Sequence, residues 1–361
     1  MECIGRPDRT GARLVVRTLV KDEPSAELKY LLLDPSEAFG EIRKEARAVI
    51  LAGGTMKPAK DVVEQLLPDL QRMSTEDTTD EHLKKLDPHS AKLFAWEHVV
   101  ARSHIKALVV DSGPTGQAMK FTFQDQSNMA RIRDAGLALA SLCNVIPGGV
   151  VVFFPSYALL GKMFAEWTQH GIIQRIEKKK PVFCESHSAN LQDMLPNYMK
   201  RVRTPGSTGA VLLSVVGGKL SEGINFSDDL GRAVFMVGVP FPSLASPELA
   251  ERISYYETMG KLTNTVPGGL TAGKMGPRGR ELYESLCMRA VNQSIGRAIR
   301  HKNDYAAIVF LDCRYADARI ASKLPSWMAH SGTQLGQQVE HVPFGQAVAR
   351  IAAFFRQDFS K

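Results

Sequence analysis

The sequence predicts an α/β fold, a parallel sheet with flanking helices, and three observations predict it. Apolar, β-branched runs recur at Ile105–Val110, Val150–Phe154, 209–216, 233–239 and 305–312, and near-continuous runs of this kind are what strands covered on both faces require. Segments of helical spacing separate several of them, notably Met129–Leu142 and 158–169. Two of the runs lead straight into polar or glycine-rich loops, at Pro155-Ser156-Tyr157 and at 217–226, the position where α/β folds keep their ligands.

The 361 residues are enough for two domains, and a composition of 44% hydrophobic and 23% charged residues describes a globular chain. A net charge of +7 accommodates nucleic acid without requiring it, since many proteins that bind none are as basic. Cys3, Cys143, Cys184, Cys287 and Cys313 lie far apart with no C-x-x-C, so they read as reduced intracellular thiols and supply no metal or iron–sulfur framework. No apolar stretch approaches the roughly 20 residues that span a bilayer, and the first residues hold no apolar signal core. These features place the protein inside the cell and away from membranes.

In chain order, residues 1–27 are polar and weakly patterned apart from Leu14-Val15-Val16, a strand remnant or a loose N-terminal stretch. Residues 28–35 read as a strand, with Ser36 capping a helix to about Arg47. The run 48–52 reads as a buried strand ending in Gly53-Gly54-Thr55-Met56, which puts a hydroxyl at the carboxyl edge of a parallel sheet; a Gly-Gly turn after a strand is also simply common. A helix around 61–67 follows. Residues 68–92 turn polar and charged, with Pro68 and Pro88, and mark a domain boundary that leaves 1–88 on one side and 89–361 on the other. Asp80-Glu81-His82 has neither the preceding strand nor the residue order of a magnesium-binding carboxylate pair, and reads as a solvated loop.

Beyond the boundary, Ile105–Val110 and 119–123 read as strands and Met129–Leu142 as a helix. Ser156, between the strand Val150–Phe154 and the helix at 158–169, stands either as a phosphate ligand or as a plain helix cap. Lys178-Lys179-Lys180 reads as a solvated helix end, with contact to nucleic acid as the lesser alternative; 181–184 is a short strand and 189–200 a helix. After the strand at 209–216, the loop 217–226 gathers three glycines with Lys219, Ser221, Glu222 and Asn225, more backbone freedom and more polar groups than a plain connection needs. Residues 247–259 have helical spacing. Gly268 to Met275 nearly satisfies G-x-x-x-x-G-K-[ST], but Met275 stands where the magnesium-ligating hydroxyl belongs and no buried strand precedes it. The chain thus carries no triphosphate cradle and no carboxylate pair of its own. Residues 320–327 and 344–359 read as closing helices.

Residues 290–300, A-V-N-Q-S-I-G-R-A-I-R, precede the last long strand at 305–312. At about 100° per residue, Arg289, Gln293, Gly296, Arg297 and Arg300 share one helical stripe, and Cys287, Val291, Ile295, Ala298 and Ile299 share the opposite one. An isolated R-x-x-R is more often a solvated basic face. The longer Q-x-x-G-R-x-x-R, with paired guanidinium groups beside a glycine, suits donor forks reaching a nucleoside triphosphate.

Four of these segments together resemble the XPD-like group of superfamily 2 DNA helicases, and most closely its ChlR (chromosome-loss) branch. They are Ile50 to Met56 (motif III), Phe153 to Tyr157 (motif IV), Gly217 to Phe226 (motif V) and Gln293 to Arg300 (motif VI), and the similarity runs from about residue 28 to the end. The resemblance implies a second RecA-like domain at 89–361 and a remnant of the first at 1–88. It implies ATP with Mg2+ in the complete enzyme, single-stranded or forked DNA as partner, and a nuclear role in sister-chromatid cohesion and DNA repair. Residue by residue, Arg297 and Arg300 become the arginine fingers and Gln293 and Gly296 line the nucleotide. Glu222, Gly223 and Asn225 become ATP-binding residues that couple nucleotide to DNA, Thr55 and Gly54 relay domain closure, and Ser156 and Lys219 lie along the DNA backbone. The family's first half, with its triphosphate-binding loop, D-E-A-H carboxylates and four cluster cysteines, is not matched in this sequence. The expectation is therefore the C-terminal motor portion of a helicase, inactive alone, completed by an N-terminal half; the other reading is a stand-alone RecA-like module that binds nucleic acid or a partner without turnover.

Overall fold

A computed structural model describes residues 12–21, 23–53, 59–67, 72–75, 90–93, 100–186, 191–220, 225–258, 275–328 and 339–359. The chain divides into two compact units, Met1–Trp96 with Phe241–Leu286, and Glu97–Pro240 with Cys287–Lys361. The sequence suggests one break near 88, whereas residues 241–286 also leave the sheet-bearing unit and pack with the N-terminal residues.

In the first unit, β1 (Ala12–Lys21) and β2 (Glu23–Leu32) form an antiparallel hairpin with Ala12 opposite Leu32. α1 (Ser36–Glu45) takes in Ser36 instead of being capped by it: Pro35 holds the cap position without a side-chain bond, and the Asp34 carboxylate accepts the Ser36 N–H at 2.9 Å. α2 (Ala59–Leu66) follows, and β3 (Arg72–Thr75) pairs in parallel with β4 (Ser90–Leu93). The strand expected at 48–52 does not form. Those residues are irregular, and Ile50 is 88% exposed. A buried parallel strand needs hydrogen-bonded neighbours, and among the described residues none pairs with this run. Gly54, Thr55, Asp80-Glu81-His82 and the near-cradle at 268–274 lie outside the described residues.

The second unit contains β5 (Ile105–Val110), α3 (Met129–Leu142), β6 (Val150–Phe154), α4 (Tyr157–Gln169), α5 (Ile172–Glu177), β7 (Val182–Cys184), α6 (Leu191–Arg203), β8 (Val211–Val215) and β9 (Ala233–Val237). The chain then gives α7 (Pro247–Thr258) to the first unit. There Lys29 pairs with Glu248 at 3.1 Å and the Tyr255 hydroxyl donates to Asp34 at 2.9 Å. The long helix α8 (Pro277–Ile295) starts in the first unit and ends in the second, which closes with β10 (Ala306–Leu311), α9 (Ala318–Ala321), β11 (Glu340–Val342) and α10 (Phe344–Phe354).

The sheet order is β11-β5-β10-β9-β6-β8-β7, and every neighbouring pair is parallel. Every residue of β6, β8, β9 and β10 is buried, which is why these segments read as unbroken apolar runs. Ile132, Leu139, Leu159, Met163, Trp167 and Ile176 from α3, α4 and α5 share one core with the sheet, and the Trp167 indole N–H donates to the Ile132 carbonyl at 2.7 Å.

Three other expectations change. Residues 119–123 are not a strand: Met119 and Phe121 are buried, but their backbone is tied to Asp111, Cys313 and the Asp312 carboxylate instead of to a ladder. The helix expected at 320–327 is only the short α9 and a 3-10 turn at Ser326–Met328, because Pro325 disfavours helical geometry at the residue before it. Lys180 is not solvated. It is 1% exposed, and its ammonium donates to the Gly148 carbonyl at 2.7 Å and to the Thr208 carbonyl. Next to them Gly209 adopts φ +99, where an added Cβ would lie 1.7 Å from the Gly148 oxygen.

Burial pulls the Lys180 amine down to about 8 from its ordinary 10.5. The unfolded chain therefore binds more protons than the folded one between those values, and stability rises with pH across that window. Urea unfolding at pH 7.5 and pH 10 should show the difference between wild type and Lys180→Met moving in favour of wild type by about 2 kcal/mol. A pH-independent difference would mean that the amine is not titrating in the core.

Candidate functional site

Because all seven strands run one way, the residues that follow a strand and those that precede one lie at opposite ends of the sheet. The segments singled out by sequence fall at both. At the carboxyl end, Ser156 adopts extended geometry and its hydroxyl oxygen accepts the Leu159 N–H at 3.2 Å, so it caps α4. That satisfies the structural reading of Ser156 and leaves one hydroxyl proton to donate. After β8, the turn through Gly217 and Gly218 carries Lys219 to solvent.

A residue that the sequence reading passed over holds this end together. Glu185 follows β7 and is 2% exposed. Its carboxylate accepts from the Tyr157 hydroxyl at 2.7 Å, the Ser214 hydroxyl at 2.6 Å, the Val215 N–H at 3.1 Å and the Leu220 N–H at 3.3 Å. One buried charge thus fixes the start of α4, the end of β8 and the loop bearing Lys219. A Cβ on Gly218 would approach Glu185 Oε1 to 2.8 Å, so only glycine lets the loop close on the carboxylate. Burial, with Glu185 beside it, pushes the Tyr157 phenol above its ordinary value. The signal available in the sequence was an acidic residue directly after a short strand, at the edge where parallel sheets keep their polar groups.

The loop that leaves the carboxyl end at Lys219 reappears at the amino end as Asn225 and Phe226; Glu222 and Gly223 lie in the intervening stretch, outside the described residues. The amino end is also where residues 293–300 arrive. Helix α8 stops at Ile295, so Gly296 and Arg297 form a turn and Arg300 lies in irregular chain, and the single helical stripe through Arg300 expected from the sequence does not exist. The end of the helix is dictated by tertiary hydrogen bonds. The Arg297 carbonyl accepts the Phe226 N–H at 3.0 Å. The buried Asp304 carboxylate, 1% exposed, accepts the N–H of Arg300 at 2.8 Å, of His301 at 3.4 Å and of Asp228 at 2.9 Å.

This arrangement brings Asn225 and Phe226 together with residues 293–300. The Arg300 guanidinium is exposed and donates to the Asn225 side-chain oxygen; Gln293 is exposed on the last turn of α8; Gly296 and Arg297 are half-buried. His301 Nε2 sits 2.8 Å from Asp228 Oδ1. Asp228, His301 and Asp304 offer ligand atoms within 4.8 Å of one another. Both Asp304 oxygens already accept backbone N–H groups, and Arg232 stands 3.8 Å from one of them, so the trio fits a fastener for the backbone better than a cation site. Four cysteines lie among the described residues, none in a disulfide: Cys143 and Cys287 are buried, and Cys184 and Cys313 are half-buried and far apart in the chain. They are not grouped to hold an iron–sulfur cluster.

The helicase C-terminal domain family matches residues 139–331. The ATP-dependent DNA helicase DDX11 of Danio rerio is 43% identical over 342 residues, covering 93% of this chain and 35% of the relative. The ATP-dependent DNA helicase chl1 of Aspergillus clavatus is 41% identical, covering 93% of this chain and 44% of its own length. The chl1 helicase of Schizosaccharomyces pombe is 40% identical over 91% of this chain and 35% of its own. The chain therefore spans about a third to somewhat under half of the length of these relatives. A solved XPD helicase superposes on 61% of this chain and 33% of its own with a TM-score of 0.43 and 19% identity.

Glu185→Ala should take the acceptor from three buried donors, the Ser214 hydroxyl and the Val215 and Leu220 N–H groups, and cost about 3 kcal/mol in urea unfolding, while Glu185→Gln, which keeps one carbonyl oxygen, should lose less. An alanine variant as stable as wild type would show that the carboxylate does not fasten this edge.

Proposed function

Because this chain belongs to the helicase C-terminal domain family, we propose that it is the second RecA-like motor portion of an ATP-dependent DNA helicase of the XPD-like, chromosome-loss type. The observation that carries the proposal is the junction of Arg300 with Asn225: an exposed guanidinium held by the loop that also runs to Lys219 at the other end of the sheet. A charge placed this way reaches a phosphoryl group held by another surface, and the loop beneath it connects that event to a cation at the opposite edge.

In this reading Arg297 and Arg300 stabilise charge on the transferring phosphoryl, with Gln293 and Gly296 against the nucleotide. Glu222, Gly223 and Asn225 pass the nucleotide state along the loop, and Gly54 and Thr55, in a remnant of the first RecA-like domain at 1–88, relay closure. Ser156 and Lys219 lie along the phosphates of single-stranded or forked DNA. ATP arrives with its Mg2+ on a surface contributed by an N-terminal half, because this sequence has no G-K-[ST] loop and no D-E-x-H pair. The names of the relatives support the helicase assignment. Nuclear work in cohesion and DNA repair belongs to the same proposal, as does the absence of a membrane role; among the described residues no helix is long and apolar enough to cross a bilayer.

The 361-residue chain alone should show no DNA-stimulated ATP hydrolysis. Supplied in trans with a half carrying G-K-[ST] and D-E-x-H, it should hydrolyse ATP, and Arg300→Ala should lower that rate by about 10³-fold; hydrolysis by the isolated chain would sink this division of labour. Binding of single-stranded DNA should weaken with salt, and Lys219→Ala should reduce the slope of log affinity against log salt by about 0.7, one phosphate contact. An unchanged slope would remove Lys219 from the DNA path.

A further inference from the structure

We propose that Phe123 is a stacking platform for a nucleobase of single-stranded nucleic acid. The proposal rests on the DNA-binding reading of the sheet's carboxyl edge and adds to it a contact with a base, where Ser156 and Lys219 address the backbone.

Phe123 is 91% exposed, the largest value for a large apolar side chain among the described residues. A lone exposed apolar residue is ordinary on a loose surface loop. This one is displayed by a turn tied on both sides. Two residues before it, Phe121 is buried and its N–H donates to the Asp312 carboxylate at 2.8 Å. Beside it, the Thr122 hydroxyl donates to Asp125 Oδ2 at 2.5 Å and accepts the Asp125 N–H at 3.2 Å. Arg131, on the first turn of α3, pairs with Asp125 at 2.8 Å and donates to the Lys120 carbonyl at 2.9 Å. With its flanks fixed, the ring stays in solvent instead of folding back onto the core.

The location selects the ligand. Asp312 follows β10, and a Cβ on Gly238, which follows β9, would touch both Phe121, at 3.1 Å, and Pro155, at 3.3 Å. The turn therefore lies on the same edge as Ser156, one residue beyond Pro155. Lys120, three residues before Phe123, is exposed there too. An exposed aromatic face on an anchored turn, at an edge that also presents lysines, is the combination that binds single strands without regard to sequence: cations track the phosphates, and each base offers a π-face. The backbone on either side of the ring is already held, so only the side chain's own torsions are ordered when a base settles on it.

The test is fluorescence anisotropy with a labelled oligothymidylate and an abasic oligonucleotide of equal length, using the 361-residue chain. Phe123→Ala should weaken oligothymidylate binding by about fivefold or more and leave abasic binding unchanged. Phe123→Trp should keep the affinity, and its indole fluorescence should be quenched by oligothymidylate and not by the abasic strand. If Phe123→Ala binds both strands as wild type does while Lys219→Ala weakens both, stacking is overturned and backbone binding survives. An equal loss on both strands also overturns it, as it would for an apolar face that docks a protein. If wild type binds neither oligonucleotide, the DNA-binding reading fails and the stacking proposal with it.

Discussion

In a sheet whose strands all point the same way, each connection must travel from the end of one strand back to the start of the next. That constraint sorts this chain's polar residues before any ligand is considered. Pro155-Ser156, Glu185 and Gly217-Gly218-Lys219 follow strands and gather at one end; Asn225 and residues 293–300 precede strands and gather at the other. The connection from β8 to β9 is the one among them with polar candidates at both ends, Lys219 at one and Asn225 at the other.

Both ends are held by charges removed from water. Glu185, Asp304 and Asp312 each sit at a strand terminus and accept several N–H or O–H groups, while Lys180 donates to two carbonyls. A buried charge is tolerated when its hydrogen-bonding capacity is filled, and here the partners are largely backbone groups that a parallel sheet leaves over at its edges. The acidic residues shape the loops, while Lys219, Arg300 and Lys120 remain exposed. Buried charges that fasten the backbone thus stand only a few residues from exposed ones, as with Asp304 and Arg300.

Much of the architecture was legible in the sequence. Ile105–Val110, Val150–Phe154 and the cores of 209–216, 233–239 and 305–312 are all strands, because a segment buried on both faces has almost no freedom to be polar. Met129–Leu142 is a helix with the bounds its spacing suggests. The same logic misled at 48–52 and 119–123, which are apolar enough for strands but find no neighbouring ladder; burial by itself does not make a strand.

The sequence by itself determined the parallel α/β sheet, the glycine-bearing turn after β8 and the paired arginines, since these follow from periodicity, composition and local turn chemistry. Only the tertiary structure decided that α8 ends at Ile295, that Lys180 enters the core, that Glu185 ties three elements together and that Arg300 meets Asn225. Each of these depends on a hydrogen bond between residues at least 28 apart, or on one that ends a helix whose own spacing would have continued. Periodicity carries no record of such partners; they exist once the strands have brought distant backbone groups to a common edge.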